Sequence, residues 1–422
     1  MNLTIRPSQA SGSVTAPPSK SMAHRQLMAA ALGASPRRVE NLEWSEDILA
    51  TLDCLRALGA SIAREGNSVT VGGLDPFAQG EPLTLPYRES GSTLRFLLPL
   101  ALLSGREVSF TGSERLLQRP LEPYERICAQ QALYYDRQRD RVTVRGPLKP
   151  GDFELPGDVS SQFVTGLLFA LPFLEAPSRV SLTPPVESRS YIQMTLAVLR
   201  DFGIRVVSVG EERFHIPAKQ KYRPHPVKVE GDWSNAAFLE ALNCLGGRIQ
   251  VKGLNELSPQ GDKAYREHFR TLRKKKPVID ISDCPDLGPV LMALAAAYGG
   301  AVLEGTERLK LKESDRGAAM AQELAKMGIQ SFVDEHRIWV AEGSLHAPTE
   351  PLDSHNDHRI AMSLAVLLTL VGGELQGAEA VRKSWPGFFD VLRSLGILME
   401  AREEPVPEQP KELEEDKHGM DF

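Results

Sequence analysis

The sequence predicts an α/β protein assembled from six variants of one small unit, and three recurrences in its 422 residues carry that reading. The first is a polar or charged opening to an apolar helix, at Ser19–Ser21, Ser90–Thr93, Ser160–Gln162, Trp233–Asn235, Pro285–Gly288 and Asn356–Arg359. The second is a short β-branched strand after each such helix, beginning at Arg38, Glu107, Arg179, Arg248, Ala301 and Glu374. The third is a further helix ending in glycine, at Leu55–Gly59, Leu199–Gly203, Leu324–Gly328 and Leu392–Gly396, followed by strand–turn–strand segments such as Ser68–Gly72 and Arg337–Ala341. The period is roughly 50–75 residues, too long for a solenoid, so each copy is a small subdomain of strands and helices. A chain of this length exceeds one compact core, which sets two domains as the expectation.

Taken in order, residues 1–16 read as a strand and a turn. Pro17 and Pro18 forbid helix, so the chain stays extended up to Ser19. Ser19 or Ser21 then caps a helix closed by Gly33. A helix over Glu46–Leu58 and a strand pair up to Gly73 follow. The segment Tyr87–Arg95 contains Ser90-Gly-Ser-Thr93, small residues that let backbone N–H groups approach an anion. Gly112–Pro120 is a loop carrying Arg115 and Arg119, either solvated or an anion clamp. Asp158–Phe163 and Ser188–Tyr191 each open another helix. Around Lys219–Pro226 the Lys, Tyr, Pro and His content reads as a linker, with a new start at Val229. Arg273–Pro277 reads as a solvated basic turn. Lys310–Arg316 packs several charges directly before the apolar-periodic Ala318–Met327, and Lys383 stands before the helix-breaking Pro386. Beyond Ala401 the Glu/Pro/Lys-rich chain reads as a disordered acidic tail, residues 403–422.

Lys20 and Arg25 lie near the start of a helix, where the macrodipole already supplies positive potential, and such charges cost a few tenths to about 1 kcal/mol each. A multiply charged anion held by backbone N–H groups, the lysine and the arginine offsets that cost. If the repeats pack symmetrically, several helix N-termini share one face and make an anion-attracting cleft. The polar opening at Trp233–Asn235 reads instead as an ordinary cap, a reading open for the other five as well.

Composition narrows the function classes. A net charge of −6 argues against a general nucleic-acid or membrane-surface role, and 42% hydrophobic with 25% charged residues is ordinary for a globular protein. No apolar run approaches the ~18 residues of a bilayer span, and the strand-like first residues lack a signal-peptide core. Cys54, Cys128, Cys244 and Cys284 are far apart without metal-ligand spacing, which points to a reducing cytoplasm.

Together, Lys20-Ser21 with Arg25, Ser90–Arg95, Gln118–Pro120, Ser160–Gln162, Lys312–Arg316, Asn356–Arg359 and Lys383 resemble the enolpyruvyl transferases that make 5-enolpyruvylshikimate 3-phosphate. This is the glyphosate-target family, and the resemblance runs from Leu3 to about Leu398. It implies a two-lobed inside-out α/β barrel whose lobes each hold three βαβαββ units with pseudo-threefold symmetry. The implied lobes are residues 19–228, and residues 1–18 with 229–402. The implied reaction joins phosphoenolpyruvate to the 5-hydroxyl of shikimate 3-phosphate and releases phosphate, in the pathway to chorismate and the aromatic amino acids. Neither metal nor cofactor is implied, and the expected state is a cytoplasmic monomer.

The resemblance also assigns roles by matching position. Lys20, Ser21, Arg25, Ser160, Ser161, Gln162, Ser188, Tyr191, Asp286 and Lys312 would hold shikimate 3-phosphate. Lys20, Gly91, Arg119, Gln162, Arg316, Arg359 and Lys383 would surround phosphoenolpyruvate. Asp286 would remove the hydroxyl proton, Glu313 would protonate the methylene carbon, and Lys20 would serve both substrates. The cations around Glu313 work against its role, because they lower the pKa of an acid that must donate near neutrality.

Two positions depart from the family pattern. Glu89 stands where Asn is usual, and a carboxylate beside a phosphate subsite weakens anion binding unless Arg88 or Arg95 neutralises it. That leaves glyphosate sensitivity open, although Gly91 itself would not exclude the inhibitor sterically. Arg308 stands where some members use Asn and is left outside the site. The sister enzymes that act on UDP-N-acetylglucosamine carry Asn after the lysine and a cysteine in the loop before Arg-Pro; here Ser21 follows Lys20 and Gly112–Pro120 has no cysteine. A non-catalytic anion or nucleic-acid binder fits less well with the acidic net charge and with two carboxylates set among the cations.

Overall fold

Six helices are buried on almost every side, because apolar residues occupy most of their faces and the polar ones gather mainly at their openings. In the computed structural model, which describes residues 1–402, these are Lys20–Ala31, Gly91–Ala101, Ser161–Ala170, Trp233–Cys244, Gly288–Tyr298 and His358–Val371. Ser19, Ser90 and Ser160 cap the first three through side-chain oxygens, and Asp232 and Asp357 cap the fourth and sixth. The fifth is entered through a short 3-10 turn, Pro285–Leu287. The amphipathic second helices Glu46–Ala57, Arg189–Asp201, Arg316–Lys326 and Phe388–Ser394 end before Gly59, Gly203, Gly328 and Gly396, each with a positive φ that only glycine adopts at little cost.

Each helix pair belongs to a small sheet. Among the described residues there are five four-stranded sheets and one of two strands. In the second unit, Leu83–Arg88 runs parallel to Glu107–Gly112, which pairs antiparallel with Arg141–Arg145, itself antiparallel to Tyr134–Arg137. The third and fifth units repeat this order. Strands alternate in burial, as in Asp152–Pro156, where Phe153 and Leu155 face inward and Asp152 and Glu154 face water. The sheets thus form the outer wall around buried helices, the inside-out arrangement expected. The fourth unit departs from the four-stranded pattern of the other five: its sheet has only Arg248–Lys252 and Ser11–Thr15.

Three strands come from distant sequence. Val227–Lys228 pairs with Arg37–Glu40 of the first unit, Ser11–Thr15 completes the fourth, and Asn2–Ile5 lies between Gly373–Gln376 and Met399–Arg402 in the sixth. The chain therefore passes twice between halves, and the two passages lie side by side. Ser19 N donates to Glu230 O and Asp232 N to Pro17 O, both at 2.8 Å. One hydrophobic core runs from Met22 to Val229, and a second joins Leu3–Ala16 to residues from Trp233 to Ile397. The tail at residues 403–422 lies outside the described residues.

Helix contact is closest at Gly166, where an added Cβ would lie 2.3 Å from Arg95 O and 2.3 Å from Tyr124 Oη. Overpacking of this kind costs about 1–3 kcal/mol. Gly166→Ala is therefore expected to lower the urea midpoint by an amount in that range, with an unchanged m-value; an unaltered midpoint would show that the two helices do not meet there.

Candidate active site

Five of the six buried helices bring their N-terminal ends to one cavity. Its wall includes Lys20 and Ser21 from the first, Gly91 and Ser92 from the second, Ser161 and Gln162 from the third, Asp286 from the turn before the fifth, and His358 from the sixth. The Trp233–Cys244 helix contributes nothing to the wall, and its opening is an ordinary cap, with Asn235 N donating to Asp232 Oδ1 at 2.8 Å. The wall carries seven Lys and Arg residues against four carboxylates, although the whole chain is acidic. Helix dipoles and cations thus add in one cleft.

Most of the cations are wedged in place from below. Arg25, 3% exposed, donates to Ser21 O at 2.7 Å, to Thr195 Oγ1 at 2.9 Å and to Tyr191 O at 3.1 Å, over the ring of Phe96. Arg95 donates to Gln162 Oε1 at 2.8 Å over the ring of Phe163, and Gln162 Nε2 donates to Ser92 Oγ at 3.0 Å. Lys20 Nζ pairs with Asp47 at 2.8 Å. Burial lowers the guanidinium of Arg25 to about 10 and that of Arg119 to about 10, which leaves both charged at neutral pH. The Nε atoms of Arg95, Arg119, Arg308 and Arg359, and Nη1 of Arg359, are buried without a protein acceptor. Buried donors of this kind call for an acceptor, and a polyanion supplies several.

The carboxylates are set among these cations. Asp286 Oδ1 receives Arg316 Nη1 at 2.8 Å and Lys312 Nζ at 3.0 Å, and Arg359 Nη2 stands 3.5 Å from Oδ2. Burial pushes the Asp286 carboxyl up, but Lys312, Arg359 and Arg316 together hold it well below the usual carboxylate range. Arg316 also binds Asp357 at 2.8 Å through Nε and 3.3 Å through Nη2. Glu313 pairs with His358 at 3.0 Å. Against the upward push of burial, His358, Lys20 and Arg316 keep Glu313 ionised. Burial depresses Lys312 to about 8 despite Asp286. One oxygen or nitrogen each of Glu313, Asp357 and His358 lies within 4.8 Å of the others, a spacing that could hold a metal ion, but Arg316 already occupies Asp357.

The halves meet on both sides of the cavity. Tyr191 Oη donates at 3.1 Å to Asp286 Oδ2, Arg189 N donates to Asp283 Oδ1 at 3.2 Å, and Arg308 donates to Ser188 Oγ. Ser188 takes a left-handed φ of 52° at the head of its helix, a local strain held by these contacts. Opposite, Lys383 pairs with Glu89 at 2.5 Å and donates to Asn356 O at 2.6 Å.

The chain matches the family model for EPSP synthase (3-phosphoshikimate 1-carboxyvinyltransferase) over residues 5–392. A 3-phosphoshikimate 1-carboxyvinyltransferase of Clostridium kluyveri is 39% identical, with 93% of this chain and 97% of that protein aligned. The chain belongs to the EPSP synthase family. A Clostridium perfringens enzyme of the same name is 37% identical, over 94% of this chain and 99% of its own length. In fold, the chain is similar to an EPSP synthase from Acinetobacter baumannii, with a TM-score of 0.77, 24% identity and coverage of 94% and 99%. It is likewise similar in fold to an enolpyruvyl transferase from Streptomyces tendae, with a TM-score of 0.74, 18% identity and coverage of 96% and 99%.

Of the residues assigned from the EPSP synthase resemblance, Lys20, Ser21, Arg25, Gly91, Arg119, Ser160, Ser161, Gln162, Ser188, Tyr191, Asp286, Lys312, Glu313 and Arg316 line the cavity. Arg359 and Lys383 do not line it directly; they touch it through Asp286 and Glu89. Glu89 is neutralised by Lys383 rather than by Arg88 or Arg95. Arg88 is committed to Glu46 and Asp53, and Arg95 to Gln162 and Pro120 O. Arg308, set aside on sequence, lines the cavity as well. Asp47, Asp357 and His358 escaped the sequence reading; the last two sit inside the Asn356–Arg359 opening, where only the arginine had been singled out.

Arg316 compensates two buried carboxylates at once, and losing one partner of such a cluster costs roughly 3–5 kcal/mol. Arg316→Met is expected to lose stability in that range by urea denaturation, and Asp357→Leu added to it should recover part of the loss. A cycle with no coupling would remove the cluster from the stability argument.

Proposed function

We propose that this cavity is where the enolpyruvyl group of phosphoenolpyruvate passes to the 5-hydroxyl of shikimate 3-phosphate, with release of phosphate. The observation that carries the reading is the set of buried guanidinium donors without protein acceptors around helix N-termini. Both substrates carry a phosphate and a carboxylate, the acceptors such donors require. Shikimate 3-phosphate would lie on Ser21, Arg25, Ser160, Ser161, Gln162, Ser188, Tyr191 and Lys312. Phosphoenolpyruvate would lie on Gly91, Arg119, Gln162, Arg316, Arg359 and Lys383, with Lys20 reaching both. In this placement Lys383 exchanges Glu89 for substrate.

Asp286 would take the 5-hydroxyl proton as the oxygen attacks C2 of phosphoenolpyruvate, while Glu313 protonates the methylene carbon to form a tetrahedral intermediate. Loss of a methyl proton then expels phosphate. The low pKa of both carboxylates in the free protein is consistent with these roles, because filling the site with polyanions offsets the surrounding cations and raises both carboxyls. Closure of residues 19–228 on residues 1–18 and 229–402 would exclude water and strengthen every phosphate contact.

No cofactor enters this scheme. No helix among the described residues is long and apolar enough to cross a membrane. We place the enzyme in the cytoplasm as a monomer without nucleic-acid partners; free thiols at Cys54, Cys128, Cys244 and Cys284 and the acidic net charge support that placement.

Phosphate release is expected only when phosphoenolpyruvate and shikimate 3-phosphate are supplied together; equal turnover with UDP-N-acetylglucosamine would reverse the substrate assignment. Asp286→Ala should retain shikimate 3-phosphate binding by calorimetry yet lose about 100-fold or more in turnover. Unchanged turnover would remove Asp286 as the base.

A further inference from the structure

The scheme above gives no part to the buried carboxylate of Asp262, which lies one hydroxyl away from Asp286. Asp262 sits in the single turn Gly261–Ala264 and is 5% exposed. Its Oδ2 lies 3.3 Å from the Tyr191 hydroxyl, which lies 3.1 Å from Asp286 Oδ2, and its Oδ1 has no hydrogen-bond partner in the protein. One hydroxyl proton thus faces two carboxylates and can be given to only one at a time. The spacing is fixed where the halves touch, because an added Cβ on Gly261 would lie 2.3 Å from Ser190 Oγ.

The two carboxylates have opposite surroundings. Asp286 is held by Lys312, Arg316 and Arg359. Asp262 faces Tyr191 from the first half, Asp286 and Cys284 from the segment before the fifth buried helix, Asp232 and Ser234 from the start of the fourth, and Arg359 from the sixth. Arg359 is the one cation in that set, against two carboxylates. Burial first, then Asp286, pushes the Asp262 carboxyl up to about 6. Burial and the same two carboxylates push Tyr191 well above its ordinary value, so its hydroxyl stays protonated.

We propose that Asp262 is a positioning and proton-holding residue, which receives through Tyr191 the proton that Asp286 takes from the substrate hydroxyl. The proposal rests on Asp286 acting as the base. In the first step the substrate O–H bond breaks and an O–H bond forms on Asp286. In the second, Asp286 returns that proton to Tyr191 Oη while the tyrosine's own proton passes to Asp262 Oδ2. The net change is one proton on Asp262, with Asp286 again an anion and Tyr191 unchanged. Bound polyanions offset part of the cationic charge around Asp286, but a proton left there still sits against Lys312 at 3.0 Å and Arg316 at 2.8 Å, whereas on Asp262 it relieves carboxylate repulsion. Below about pH 6 Asp262 is already protonated, the relay has no acceptor, and kcat falls.

The test is the pH profile of kcat for Asp262→Asn in the full-length chain, with Asp286 intact. We expect a loss of about 10-fold or more near neutral pH, KM values for both substrates within about twofold, and disappearance of the acid limb near pH 6. Asp262→Glu should restore part of the rate together with an acid limb. An unchanged kcat, a lower kcat with the acid limb still in place, or a loss carried by KM would overturn the proposal. Infrared titration gives a second check: a protonated-carboxyl band that disappears as pH rises through about 6 should be present in the unmodified protein and missing from Asp262→Asn, while the band of Glu187, which burial pushes up to about 7, stays in both; identical spectra would also overturn the proposal. Turnover that survives Asp286→Ala would instead sink the base assignment, a separate result.

Discussion

Arg316 holds together three helix starts of the second half. It opens its own helix, binds the Asp357 that caps His358–Val371, and reaches Asp286 in the turn leading into Gly288–Tyr298. With Asp357 fully buried, the arginine cannot leave without exposing an uncompensated charge to the protein interior. Asp286 is therefore fixed in direction at the floor of the cleft, and Tyr191 meets it from the opposite half. The position of the proposed base follows from this ion cluster rather than from packing alone.

The first half solves the same problem with hydroxyls and aromatic rings. Arg25 is held by Thr195, itself bonded to Thr165 at 2.8 Å, and His24, Thr51, Thr93 and Ser90 form a buried chain of contacts at 2.7–2.8 Å. Phe96 and Phe163 lie under Arg25 and Arg95 at 5.3 and 5.2 Å, and in the second half Phe238 lies under Arg359 at 5.8 Å. Cation–π contact keeps such guanidinium groups charged inside a core while leaving donors free. Both halves thus spend stability on an excess of positive charge, which is recovered when polyanions bind.

The buried helices were legible because a mostly apolar helix opened by Ser or Asp has one reading, and the glycine stops because positive φ has one common tenant. Strand cores were legible for the same local reason; their ends shifted by a residue or two, as at Arg37–Glu40. What the sequence hid is non-local. Nothing near Ser11–Thr15 says that it completes a sheet with Arg248–Lys252, and the fourth unit's shorter sheet has no local signature. Pairing of Glu89 with Lys383 instead of its neighbour Arg88 depends on how the halves approach. Asp47 and Asp262 look like surface acids in sequence, yet each is buried against a group from a distant segment.

The most direct test of this account is a crystal structure with shikimate 3-phosphate and inorganic phosphate both bound. The account predicts two separate anion densities within the one cleft, the sugar phosphate on Arg25, Ser160 and Ser161, and the free phosphate between Arg119, Arg316 and Arg359, bounded by helix starts from both halves. Anions bound outside that cleft, or contacts drawn from one half alone, would contradict it.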